Sequence, residues 1–277
     1  MAITAQDVKK LRDLTNAGMM DCKKALTEAD GDFDRARDIL RERGQLVAAK
    51  RADREATDGV ALGRIAPDGK HGAAIVLNSE TDFVAENAKF QQLANDILDI
   101  ALASKPADLD ALKALALADG HTVAEHVNEL TGVIGEKIDL SAYQQIDAEG
   151  MACYVHNRKI AALVGFNEQV DEQVGKKIAM QVATMSPVAV DKQSVPQATI
   201  DHELAVGAEM ARNEGKPEAM IEKIAQGRLG KFFKESLLVE QTFFAGDGDE
   251  SKLSVGQYLA TVSKTLKPTA MIRLALA

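Results

Sequence analysis

A few places in this chain hold residue types that could do chemistry. Of the five histidines, His121 and His126 lie closest in sequence. Five residues on a continuous helix turn through about 140°, so this spacing predicts no metal pair, and no metal site is expected. Asp30-Gly31-Asp32-Phe33-Asp34 imitates the opening of a calcium loop. Its sixth position would be Arg35, where glycine is needed, and its twelfth Arg41, where a bidentate acid is needed. It therefore reads as a solvated turn capping a helix. Cys22 falls on an apolar helical stripe and Cys153 in a strand-like segment with no assignable histidine partner. Core packing is the reading for Cys22. Glu80-Thr81-Asp82-Phe83-Val84-Ala85 is different in kind: one aromatic ring has polar residues before it and a small residue after it. That is the composition of an interface anchor with a wet rim, although the same ring could pack inside its own domain.

No P-loop, Gly-x-Gly-x-x-Gly or Gly-x-Ser-x-Gly spacing occurs. No catalytic residue and no cofactor are expected. The chain of 277 residues has 33 basic and 42 acidic side chains, a net charge of −9. That balance disfavours a nucleic-acid partner, which selects a basic surface. The first 56 residues carry 12 basic and 11 acidic groups, so no basic arm hides in the average. Aromatics are 4% and tryptophan is absent, too few rings for a base-stacking platform. Apolar residues make up 46%, an ordinary globular share, with no run long enough for a membrane span. Two distant cysteines and an N-terminus without a leader-like pattern suggest the cytoplasm.

Residues 4–43 read as three short helices. Thr4 precedes the first-turn acid Asp7; Val8, Leu11 and Leu14 follow at helical spacing. Gly18 and Gly31 break the pattern, Asp32 can cap the third helix, and Gly44 reads as its C-terminal glycine. Gly59–Ala66 and Gly72–Asn78 form a hairpin around Pro67-Asp68-Gly69, where proline presets φ and glycine supplies a positive one. A helix carrying Phe90, Leu93, Ala94, Ile97, Leu98 and Ala101 follows, then one near 108–118 and one capped by Thr122 and Glu125. Strands Met151–Val155 and Ile160–Phe166 and a helix with Val174, Ile178 and Val182 repeat the hairpin–helix order. Residues 196–234 read as a helical hairpin, with Ile200, Leu204, Ala208 and Ala211 facing Ile221, Ile224 and Phe232. A loop at 246–249, a helix near 254–264 and a strand near 269–276 close the chain. The fold class is α+β, with two related halves rather than one parallel sheet.

Three segments in order resemble one family. Thr15-Asn16-Ala17-Gly18-Met19-Met20-Asp21-Cys22-Lys23-Lys24-Ala25-Leu26 resembles the opening signature of bacterial elongation factor Ts. Thr81-Asp82-Phe83-Val84 looks like that family's exchange motif. Gly215-Lys216-Pro217-Glu218, Glu222-Lys223-Ile224, Gly227-Arg228-Leu229 and Lys231-Phe232-Phe233 resemble its helical-hairpin signature. The resemblance implies a guanine-nucleotide exchange factor, not an enzyme in the strict sense. It would act on elongation factor Tu, GDP-bound and nucleotide-free, with no direct nucleic-acid or membrane partner. A homodimer and a 2:2 complex both stay open. It implies a ubiquitin-associated-like three-helix module at 1–45; the Ala-rich, charged residues that follow read by composition as a helical linker at 46–57. A core N-subdomain at 58–138 and a core C-subdomain at 139–189 and 237–277 would follow, with an inserted coiled-coil hairpin at 190–236. Thr81, Asp82, Phe83 and Val84 would dislodge Mg²⁺ from the partner; Met19, Met20 and, through Tyr154-Val155-His156, His156 would touch it. Residues 136–140, Glu-Lys-Ile-Asp-Leu, depart from the Asn and paired arginines of many members. The chain ends at Ala277, where some relatives continue into a further helix that meets the partner; that contact is not expected. Two other readings compete: an adaptor using the N-terminal module alone, and an enzyme whose site is assembled between the two halves.

Overall fold

The structure, a computed structural model, describes residues 3–15, 17–246 and 248–277. Asn16 of the first matching segment and Asp247 of the expected loop lie outside them, as do the first two residues. No helix among the described residues is long and apolar enough to cross a membrane. The fold is α+β with two small antiparallel sheets. The chain divides into two compact units: Met1–Leu62, Ile75–Tyr143 and Ala275–Ala277 in one, Gly63–Ala74 and Gln144–Leu274 in the other.

The first unit opens with α1 (Ala5–Thr15), α2 (Met19–Glu28) and α3 (Phe33–Lys50). Thr4 and Asp7 cap α1 reciprocally: the Asp7 N–H donates to Thr4 Oγ1 at 3.2 Å and the Thr4 N–H to Asp7 Oδ2 at 2.9 Å. Asp32 accepts from the Asp34 and Arg35 N–H groups, so the calcium-like segment serves as a helix cap. Val8, Leu11, Cys22, Leu26 and Ala36 form a core of their own. Gly44 does not end α3, contrary to the expectation. The helix runs six residues further, because Gly44 is where it meets α7 (Val123–Ile134). A Cβ on Gly132 would stand 2.3 Å from Gly44 Cα, so glycine at 132 lets these backbones approach so closely, whereas a Cβ on Gly44 would meet its nearest neighbour at 3.5 Å.

Strands β1 (Asp58–Ile65) and β2 (His71–Ser79) form the expected hairpin, with Gly69 at φ +70° in its turn. The short α4 (Asp82–Ala85), α5 (Ala88–Ser104) and α6 (Leu109–Ala114) lead to α7. All six expected apolar residues of α5 are buried. Helix α6 stops short of 118 because the next residues make a tight turn: the Leu117 N–H donates to His121 O at 2.8 Å. Strand β3 (Ile138–Asp147), which the sequence reading missed, completes the order β1-β2-β3. Its buried residues, Ile138, Leu140 and Tyr143, are too sparse to announce it.

In the second unit, β4 (Gly150–His156) pairs antiparallel with β5 (Ile160–Phe166), in register Cys153 to Leu163. Helix α8 (Glu172–Met185) covers them, and α11 (Val255–Val262) and β6 (Pro268–Ala275) complete the order β4-β5-β6. Between them α9 (Gln197–Asn213) and α10 (Glu218–Ser236) form the helical hairpin. Its buried seam is Gly207 and Ala211 against Ile221, Ala225 and Leu229. Ile224 and Phe232, expected in that seam, are only half-buried. Buried Gln181 and Gln241 fix the chain's return: the Gln181 amide donates to Gln241 Oε1 at 3.1 Å, and that of Gln241 to Glu235 O at 2.9 Å.

Two glycine substitutions should act in opposite directions. Gly132→Ala forces α3 and α7 apart and should cost about 1–3 kcal/mol, lowering the melting temperature by several degrees. Gly230→Ala, in the exposed interior of α10 with nothing within 4 Å of its added Cβ, should stabilise the helix by up to about 1 kcal/mol. Melting of the two variants checks both signs.

Candidate partner interface

Phe83 is 85% exposed, more than any other large apolar side chain among the described residues. Its neighbours explain how a ring stays there. Val84 and Ala85 are 7% and 6% exposed, so they anchor α4 while the preceding residue projects outward. A four-residue helix has almost no stability of its own, and the chain before it is held by ionic contacts. Glu80, its side chain 18% exposed, accepts from the Lys137 backbone N–H at 2.6 Å and from Arg51 at 2.7 Å. Thr81 Oγ1 donates to the Glu136 carboxylate at 3.0–3.1 Å, and Ser79 Oγ donates to Thr81 O at 2.9 Å. Lys137 Nζ donates to Ala52 O at 2.7 Å and Arg54 O at 2.9 Å, tying the end of α3 to the same junction. Asp82 is exposed, as a rim residue should be.

The Lys137 N–H holds the Glu80 carboxyl below its usual range; burial opposes this, and Arg51 adds to it. Arg51, Glu136 and Lys137 were not singled out from the sequence as supports of Phe83. The contacts span 29 to 57 residues, and the only signal was the departure from the family pattern at 136–140.

The other expected contact residues divide between the units. Met19 and Met20 begin α2, 43% and 63% exposed, so neither is core. His156 belongs to the second unit, exposed at the end of β4, its Nδ1 2.9 Å from the Tyr154 hydroxyl. Cys22 is fully buried, with its thiol directed at Ala17 O at 3.6 Å. Burial pushes the Cys22 thiol up and the Cys153 thiol up to about 11, so neither is a ready thiolate. One sequence inference fails outright. His121 precedes the N-cap Thr122 and is not on α7, so the 140° helical separation does not apply, and Asp119, His121 and His126 come together.

An aromatic residue held in water on a braced strand–helix junction has the exposure and the support that an interface anchor needs. The family model for elongation factor Ts matches residues 80–276. Proteins named elongation factor Ts are similar over nearly the whole chain. That of Amoebophilus asiaticus is 51% identical over 270 residues, 96% of each chain. That of Porphyromonas gingivalis (strain W83) is 47% identical over 267 residues, 96% of this chain and 95% of that one. That of Cytophaga hutchinsonii is 45% identical over 278 residues, 99% of each. The chain belongs to the elongation factor Ts family, a family of translation elongation factors.

Glu80 gives the junction a pH signature. Its folded value lies below the unfolded one of about 4.3. Its stabilisation is therefore fully present above about pH 4.3 and is lost as pH falls through the folded value. Glu80→Gln should melt lower than wild type at neutral pH, with the gap closing in acid. Melting curves across pH check this; a gap independent of pH would remove Glu80 from the account.

Proposed function

We propose that this chain is a cytoplasmic guanine-nucleotide exchange factor that binds elongation factor Tu and promotes GDP release. The observation that carries the reading is the 85% exposure of Phe83 on its braced loop, together with membership of the family. Bound Mg²⁺ demands near-ideal octahedral geometry and bridges protein and phosphate oxygens. A factor that stabilises a partner conformation with those ligands displaced weakens nucleotide binding without touching the nucleotide. By linkage, nucleotide weakens the complex by the same factor. In this reading the Phe83 ring enters a pocket between partner helices and wedges them apart, with Thr81, Asp82 and Val84 setting its angle. Met19 and Met20 supply adaptable thioether contacts, and His156 contacts the partner from the second unit. The action is binding rather than bond-making, so the chain is not an enzyme in the strict sense.

Phe83→Ala should slow factor-stimulated GDP release by about 30- to 1,000-fold, the range for losing a central aromatic anchor. The melting temperature should barely move, because an exposed ring carries little core energy. Asp82→Ala should cost less, its carboxylate being solvated. Stopped-flow release of a fluorescent GDP analogue from elongation factor Tu measures both. Normal stimulation by Phe83→Ala would overturn the wedge.

A further inference from the structure

The turn between α6 and α7 brings together three side chains that the docking surface does not use. Asp119 sits in the turn, His121 just before the N-cap Thr122, and His126 in the first turns of α7. One donor atom from each lies within 4.8 Å of the other two. Asp119 Oδ2 is 3.1 Å from His121 Nδ1, and Asp119 Oδ1 is 3.0 Å from His126 Nε2. The imidazole planes are nearly perpendicular, at 81°. His121 Nδ1 is cut off from water and, although close to the carboxylate, is not aligned with it for a hydrogen bond.

The backbone holds these donors in place. The Gly120 N–H donates to Leu117 O at 3.0 Å, with Gly120 at φ +87°, and the His121 N–H donates to Asp119 Oδ1 at 3.1 Å. Thr122 and Glu125 make a full capping box, which fixes the start of α7 and so the position of His126. Burial pushes the Asp119 carboxyl up, but the His121 N–H and the two imidazoles beside it hold it well below the usual range. It is an anion at neutral pH.

We propose that Asp119, His121 and His126 form a two-nitrogen, one-oxygen site for a single divalent transition-metal ion of the zinc class. The donor set selects that class: imidazole suits zinc, cobalt, nickel and copper, whereas calcium and magnesium seek shells of oxygen. Tetrahedral zinc with bonds of about 2.0–2.2 Å sets donor atoms about 3.3–3.6 Å apart. The two carboxylate–imidazole separations, one to each carboxylate oxygen, are short of that by a few tenths of an ångström, and the set as a whole spans up to 4.8 Å, so binding requires side-chain rotation to bring the three donors onto one ion. Asp119 and His126 line a cavity of about 710 Å³, which gives a coordinated water room in the fourth position. Arg37, Arg41 and Lys89 also face that cavity, but Asp96, Asp99, Asp119 and Glu129 outnumber them. A bound ion would pin the 117–121 turn to α7 and stabilise the folded chain.

The test uses the tag-free full-length chain. Calorimetric titration with Zn²⁺ should show one equivalent bound, and Zn²⁺ should raise the melting temperature. Co²⁺ should give the intense visible absorption of a tetrahedral site, displaced by Zn²⁺. His121→Ala, His126→Ala and Asp119→Asn should each weaken binding at least tenfold; His202→Ala, on the exposed face of α9, should not. No saturable binding by wild type, or undiminished binding by His126→Ala, overturns the site. The Co²⁺ spectrum and melting shift of wild type stand even if a variant fails to fold.

Discussion

The proposed exchange activity depends on keeping one phenylalanine ring in water. Burying such a ring would return about 1.5–3 kcal/mol, so an unsupported loop would fold it inward. The surroundings of Phe83 oppose this from both sides. Val84 and Ala85 occupy the buried positions behind it, and Glu80 and Glu136 take hydrogen bonds from the chain on either side of the junction. Those bonds are charge-assisted, the stronger kind, and they tie Glu80 and Thr81 to the residues leading into β3 and to the end of α3. The ring is held out by a frame built from three separate parts of the sequence.

The same frame bears on the N-terminal module. Its three helices have their own core, which alone would suit a free adaptor. But α3 continues beyond that core to Gly44, where it contacts Gly132 of α7, and on to Arg51, which pairs with Glu80. The helix that ends the module also braces the junction that carries Phe83. An adaptor working through residues 1–45 alone has no use for this continuity, whereas a factor that presents Met19, Met20 and Phe83 to one partner does.

Much of this was legible in the sequence because it is local. The α5 face, the Thr122–Glu125 capping box, the Pro67-Asp68-Gly69 turn and the hairpin–helix repeat each follow from residues within one turn or one hairpin. The failures share the opposite cause. Gly44 was misread because a glycine past a helix end and one inside a helix look alike until the neighbour, here Gly132 of α7, is seen. Strand β3 was missed because its apolar residues are few and its partner strand is more than fifty residues away. The His121–His126 separation was misjudged because a wheel drawn through both assumed a helix that begins only after His121. The candidate interface was legible as Thr81–Val84 and its exposed ring; the carboxylates that support it were not.

The central claim is that the ring's binding energy is spent on displacing nucleotide and not on uniform attachment. It is tested most directly by measuring the affinity of elongation factor Tu for this chain with and without GDP, alongside its affinity for GDP with and without the chain. The account predicts equal coupling factors in the two directions, both shrinking together in Phe83→Ala. A Phe83→Ala chain that binds elongation factor Tu more weakly while its coupling to GDP stays at the wild-type value would contradict it, leaving Phe83 as an anchor that does not wedge.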